Sequence, residues 1–270
     1  INTFTVEQEN SEYVKRLKNS DFLTSLKNGG ADYYWGDVVV LYDHPDKISS
    51  PRSEVNLHLA PQLAPYITSV EKELLVISPY FVPGEEGVSF FEALEQRGVQ
   101  VKIVTNSLAS NDVSIVHAGY SKYRKKLLQA GVQLYEIDSN TIASDPDDKK
   151  RSKISGGLSG SKASLHAKYF VMDRQVAFIG SLNFDPRSVV ENTEIGVVIK
   201  SQEIALKLAE NFDSHIQTIS YELKLEDGDI RWYRHANGKI AETWDVEPET
   251  TWWLRFKVSL MKLLPVESQL

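Results

Sequence analysis

The sequence predicts an α/β layered fold, a mixed and mostly buried sheet flanked by helices, in one domain that carries a single chemical motif. Three observations support this. Short continuous apolar runs recur along the chain, as expected of strands buried on both faces. Apolar stripes at helical spacing lie between them. The composition is that of an ordinary globular protein, with 41% hydrophobic and 25% charged residues in 270. A chain of that length can bury a sizeable core.

Residues 1–37 are polar and mixed, with Gly29-Gly30 closing a short helix, and read as a lead-in or linker. Val38–Tyr42 is the first strand, ended by the turn Asp43-His44-Pro45-Asp46. Leu74–Ser78 is a second strand, ended by Pro79. Phe90, Phe91 and Leu94 mark a short helix before Gly98, and Val101–Val104 forms a third strand. Val116, Tyr120, Tyr123 and Leu127 predict one helix, stopped at Gly131. Val132–Tyr135 is the fourth strand. Ile204, Leu208, Phe212, Ile216 and Ile219 make a later helical stripe. The sequence shows no internal repeat. The domain reading is a lead-in at 1–37, a core at 38–222 and a C-terminal extension at 223–270.

The net charge of −7 and pI near 5.5 argue against a dedicated duplex-DNA binder, and nucleic acid is not expected as a partner. They leave room for a local basic pocket. With no cysteine, disulfides, thiolate catalysis and Cys-ligated zinc are excluded. No run of about eighteen apolar residues offers a membrane-spanning helix. The start, Ile1-Asn2-Thr3-Phe4, has neither an initiator methionine nor a signal-peptide pattern, so a processed or excised piece of a longer protein is expected. Ser155–Ser164 is rich in Gly and Ser, and Lys149–Lys168 holds six basic residues and no acid. That stretch is either a solvated loop or an electropositive lip for an anionic substrate.

The most informative segment is Leu165–Asp173. Its alternation predicts a strand, with His166 and Lys168 on one face. Asp173-Arg174-Gln175 reads as a tight turn, and Val176–Ile179 as the returning strand, followed by Gly180-Ser181-Leu182-Asn183. Folding that hairpin about position 174 sets His166 opposite residue 182, so Ser181 and Asn183 come close to His166 and Lys168. Gly180 would let backbone approach a ligand. The set suits a phosphate, with charge from Lys168 and donors from Ser181 and Asn183. An imidazole of pKa about 6.5 can act as a neutral nucleophile. Taken singly, each residue is ordinary strand, surface or turn chemistry. The combination at these spacings is not.

The pattern His166-x-Lys168, four residues, Asp173, six residues, Gly180-Ser181-x-Asn183 resembles the signature of the phospholipase D superfamily. It fixes six identities across 18 positions. Phe184-Asp185-Pro186-Arg187-Ser188, Asn192-Thr193-Glu194, Ser78 to Gly84, Asn111-Asp112, His117 to Tyr120 and Tyr123-Arg124 also resemble bacterial cardiolipin synthases. Within these the chain is most similar to the C-terminal half of the C type, from about Trp35 to its end.

The resemblance implies that one histidine attacks a phosphodiester phosphorus to give a phosphohistidine, while a second, from another copy of the motif, protonates the leaving alcohol. His166 would be one of the pair. Lys168, Ser181 and Asn183 would bind the phosphate, and Glu194 would orient the imidazole. Asp173 belongs to the same catalytic motif but sits in the turn, so it is expected to hold structure. His117, in a helix matching a family segment, is expected to be structural. No metal or cofactor is implied. This sequence holds one motif, because His44, His58, His117, His215 and His235 all lack a Lys two positions on. Either the chain is half of a longer enzyme or two chains pair.

The expected function is therefore phosphatidyl transfer of the cardiolipin synthase kind, on phosphatidylglycerol and also phosphatidylethanolamine. The expected setting is peripheral, at the cytoplasmic side of a bacterial inner membrane. A phospholipase or nuclease-type hydrolase and a non-catalytic binding or regulatory half stay open beside it. Near the C-terminus, Trp253, Phe256, Leu260, Leu263 and Leu264 share one helical face, with three basic residues and no acid among them. That face either meets a membrane or docks on the core.

Overall fold

The first apolar run forms β1 (Asp37–Tyr42). Two short 3-10 turns lead to α1 (Leu59–Thr68), which buries Leu59, Leu63 and Ile67 on one stripe. β2 (Glu73–Ile77) is buried at every position. It crosses over through α2 (Gly84–Gln96) to the parallel β3 (Gln100–Asn106), which in turn pairs in parallel with β4 (Gln133–Ile137). The single helix expected between β3 and β4 is two, α3 (Ser114–Ser121) and α4 (Arg124–Gln129). A tight turn separates them, in which the Tyr123 N–H donates to the Tyr120 carbonyl at 2.9 Å. Beyond that turn Arg124 points inward, to the buried Glu136 on β4 at 3.0 Å.

In this computed structural model the described residues are 33–140 and 164–263, together with Thr24 and Gly29. The lead-in up to residue 32, the basic loop at 149–163 and Leu264 lie outside them, apart from those two positions. The chain divides into two compact units, Ile1–Trp35 and Gly36–Leu270.

β5 (Tyr169–Met172) and β6 (Val176–Gly180) form the expected hairpin, with Phe170 opposite Phe178. Asp173 and Arg174 both adopt left-handed backbone, at φ 52° and 55°. The strand is shorter than its alternation predicts. β2, its partner, ends at Ile77, and Ser78-Pro79 turns away, so residues 165–168 have no ladder to join on that side. Next come α5 (Pro186–Val190), β7 (Ile195–Lys200) and α6 (Gln202–Ile219). Three further strands then extend the sheet: β8 (Ser220–Glu226), β9 (Asp229–Ala236) and β10 (Lys239–Trp244). Asp227-Gly228 and Asn237-Gly238 close their hairpins with positive φ, the strongest short-range hairpin signal there is. The sheet order is β1-β7-β6-β5-β2-β3-β4-β8-β9-β10. It is mixed, as expected. Its centre is buried, while both edge strands, β1 and β10, are largely exposed.

Two cores sandwich the sheet. On one face Leu74, Val76, Phe170, Phe178 and Val198 meet α1 to α4. On the other, Leu75, Ile77, Val104, Tyr135 and Val171 meet Ala205, Ala209, Phe212 and Ile216 of α6. The two alanines let α6 sit close to the strands. α6 covers this second face as far as the Ala177 end of β6, where Ala177 is fully buried. Beyond it the strand register places Ile179 beside Val197, Val197 beside Val40, and Ile195 beside Tyr42. Val38, Val40, Tyr42, Ile179 and Ile195 are all exposed there. An uncovered apolar sheet face marks an interaction surface.

The last element is α7 (Trp252–Met261), whose Leu254 N–H donates to the Thr251 hydroxyl at its start. It seats Val258, with Leu254 and Met261, against Leu108 and Ala118. The helix docks through a different side from the stripe singled out in the sequence. Trp253, Phe256, Leu260 and Leu263 face away. No helix among the described residues is long and apolar enough to cross a membrane.

Candidate active site

The hairpin brings His166, Lys168, Ser181 and Asn183 to the end of the sheet where β2 and β3 finish. His166 and Lys168 lie in the extended segment entering β5, not in the strand itself. Asn106, at the end of β3, holds that segment: its amide oxygen accepts from the Leu165 N–H at 2.9 Å, and its amide nitrogen donates to the Leu165 carbonyl at 3.2 Å. The Gly180 N–H donates to the Lys168 carbonyl at 3.2 Å, carrying the hairpin register one pair past the strand. The His166 side chain is exposed, and its ring has no hydrogen-bond partner among the described residues.

Lys168 is half-buried and donates to the His166 carbonyl at 2.8 Å. Burial lowers its pKa, while the charges of Glu194, Asp185 and Asp112 pull it back up. Its ammonium therefore lies in the field of three carboxylates. Glu194 accepts a short hydrogen bond from the Ser181 hydroxyl. Ser181 also ties β6 to β7, donating its N–H to the Ile195 carbonyl at 2.9 Å and accepting from the Ile195 N–H at 3.1 Å. Asn183 is buried, its amide nitrogen 3.4 Å from the Ser188 hydroxyl, and its amide oxygen has no partner. A buried amide oxygen without a donor is costly unless a ligand supplies one.

One expectation needs correction, and the place of Asp173 can be given. Gly180 makes room for protein rather than for a ligand: a Cβ there would lie 2.7 Å from the Ile195 carbonyl oxygen and would also meet Gly196 and the Phe178 ring. Asp173, grouped with the catalytic residues by the motif, lies at the opposite end of the hairpin. Its carboxylate accepts from the N–H groups of Glu71, Lys72 and Glu73 at 3.0, 2.7 and 2.9 Å, which fixes the start of β2. His117 is wholly buried, 3.4 Å from Glu247.

Two site-building residues, Asp43 and Lys47, escaped the sequence reading. Asp43, read as a turn residue, is buried and paired with Lys47 at 2.8 Å. It also accepts from the Glu194 N–H at 2.8 Å and the Leu59 N–H at 2.6 Å. Lys47 donates to the Asn192 carbonyl at 2.7 Å. This buried pair holds the segment that carries Glu194, and no local pattern announces it. Tyr80 donates to Asp112 at 2.8 Å, and the Ser78 hydroxyl accepts from the Phe184 N–H at 2.9 Å. Beside them a cavity of about 240 Å³ is walled by Tyr80, Val113, Val116, Asn183, Asp185 and Asn192, among others. Among the described residues, no three His, Cys, Asp or Glu side chains converge to hold a metal ion.

Asp185 caps α5, accepting from the Ser188 N–H at 2.8 Å. Burial raises its pKa from 3.8 to about 6; bonds from Ser188 oppose the rise and the Glu194 charge adds to it. Between those values the folded chain keeps a proton that the unfolded chain has released. This contribution to stability is full at low pH and is lost as pH rises through about 6. An asparagine at this position cannot ionise, so the Tm of Asp185→Asn should gain on that of the parent across this window. Parallel Tm profiles against pH would remove Asp185 from the titration.

Such a fold and motif define a phospholipase D-like protein. Residues 63–216 match the family model described as cardiolipin synthase, PLD-like domain, and the chain belongs to that family. It is similar to cardiolipin synthase C of Escherichia coli (strain K12), with 39% identity over 94% of this chain and 53% of that protein. Cardiolipin synthase A of Yersinia pseudotuberculosis (serotype O:1b, strain IP 31758) is 30% identical over 60% of this chain and 28% of its own length. A solved phospholipase D family member, Nuc from Salmonella typhimurium, overlays with a TM-score of 0.48 at 18% identity, covering 70% of this chain and 99% of that one. The chain spans about half the length of the Escherichia coli protein.

Proposed function

We propose that this chain supplies one half of a two-motif active site that transfers phosphatidyl groups between phospholipid alcohols. The observation that carries the reading is the cluster of His166, Lys168, Ser181 and Glu194 at one sheet end, with the imidazole open to solvent. His166 attacks the phosphorus of a phosphatidylglycerol or a related phospholipid. The bond to the headgroup oxygen breaks, and a histidine of the second half protonates the departing alcohol. A second lipid alcohol then attacks, gives its proton to that histidine and displaces His166. Lys168 and Asn183 hold the phosphate oxygens, and the charge that develops there is where fixed donors act most strongly. Phosphate draws the Ser181 hydroxyl from Glu194, which then accepts the second ring proton of the imidazole.

The bare sheet face suits the second half. Ile195 follows Glu194 and bonds Ser181, so that apolar surface is continuous with the site. A partner seated there would bring its own motif next to His166 and shut out water.

The test is product analysis on vesicles of phosphatidylglycerol and phosphatidylethanolamine. The chain is incubated alone, then with the portion of Escherichia coli cardiolipin synthase C that it does not cover. Cardiolipin is expected in whichever mixture assembles a paired site by size exclusion. Phosphatidic acid in its place would assign hydrolysis. A paired complex that makes neither would overturn the reading.

A further inference from the structure

α7 carries two apolar faces. One is spent: Val258 is 1% exposed, and with Leu254 and Met261 it fixes the helix to α3 and to Leu108. The other is free. Trp252, Trp253, Phe256, Leu260 and Leu263 recur at helical spacing on the side away from the docking seam, and Trp253 and Leu263 are 71% and 80% exposed. The three aromatic rings pack together at the surface, with Trp252 and Phe256 stacked at 5.3 Å. Residues 251–263 contain no acid, while Arg255 and Lys257 flank the stripe.

We propose that this stripe is the chain's membrane contact, lying in the headgroup layer of an anionic phospholipid bilayer. Tryptophans are favoured there because an apolar ring can sink while its N–H stays hydrated. The flanking cations complement anionic headgroups, and the lack of acid removes repulsion. The helix is already folded and anchored by its opposite face, so binding does not have to order it. Its position also matters. α3, on which α7 rests, begins beside Val113 and Val116, which wall the cavity next to Asn183 and Asp185. A bilayer held by α7 is therefore linked to that cavity through a single helix, α3. Lipid headgroups would thus be held on the same chain and the same helix pair as the site. This last point rests on the function proposed above; the membrane contact does not.

The experiment is flotation of the chain with vesicles of phosphatidylglycerol and phosphatidylethanolamine, and with phosphatidylcholine vesicles. The chain is compared with Trp253→Ser/Phe256→Ser/Leu260→Ser and with His166→Ala. These residues are exposed, so the triple variant should keep the parent Tm. The parent should float with the anionic vesicles and more weakly with phosphatidylcholine. The triple variant should lose about 30-fold or more in partitioning, and His166→Ala should float like the parent. Phosphatidylglycerol brominated on its acyl chains should quench the parent's tryptophan emission and not that of the triple variant. Equal flotation of parent and triple variant would overturn the proposal. So would a parent that self-associates through the stripe without floating. Flotation of His166→Ala, with no product from the parent once paired with its second half, would overturn the transferase reading and leave the membrane contact standing.

Discussion

Replacing His166 by Ala is expected to lower phosphatidyl transfer by the paired enzyme by about 10³-fold or more, with Tm unchanged. The two halves of this expectation come from different facts. The side chain is exposed and its ring has no partner among the described residues, so removing it leaves no cavity and no orphaned donor. Surface positions of this kind usually change stability by about 0.5 kcal/mol or less. Loss of the nucleophile proposed above, by contrast, would remove the covalent path entirely. Single-turnover product analysis on the same vesicles, alongside thermal unfolding, separates the two. A variant with near-normal turnover would take His166 out of the chemistry. A variant that unfolds early would mean that the ring holds structure.

The second large effect is on stability. Arg124 is buried, donating to Glu136 at 3.0 Å and to Glu247 at 2.6 Å, with its guanidinium over the Trp232 and Tyr120 rings. Trp232 donates to the same Glu136 at 2.9 Å. Burial pushes the Glu247 pKa up, yet the bond from His117 and the charge of Arg124 hold it well below the usual carboxylate range. Arg124→Ala would leave Glu136 and Glu247 facing each other without their shared cation. Breaking a buried pair in this way costs about 3–5 kcal/mol. Urea unfolding should show that loss in the midpoint. A loss below about 1 kcal/mol would mean that water replaces the guanidinium. Arg124→Met with Glu136→Gln and Glu247→Gln should recover much of the loss, because the uncompensated charges are then gone.

Much of the site was legible because a hairpin is local. The pivot at 174 follows from spacing alone, and the structure pairs Tyr169 with Ile179 and Met172 with Val176 about that centre. The nearness of Ser181 and Asn183 to the motif follows from the same arithmetic. The strand length did not, because it depended on where β2 stops, about ninety residues earlier in the chain. Gly180 was misread for a similar reason: what lies against it is β7, whose pairing no local pattern specified. β8 to β10 were legible in principle from Asp227-Gly228 and Asn237-Gly238.

The sequence by itself determined that this is an α/β chain with one phosphate-directed motif on a hairpin, and it identified the family to which that motif belongs. Periodicity and turn chemistry act within about ten residues, which is why those features could be read. Only the tertiary structure decided that Asp43 and Lys47 hold Glu194, that Asp173 braces β2 far from His166, and that β1, β6 and β7 leave one face bare. It also decided which side of α7 is covered. A helix with apolar residues on two sides has no preferred face until its neighbours exist, and here Leu108 and Ala118 took the side of Val258. Burial is a property of what comes to lie alongside, and that is set by contacts across the whole chain.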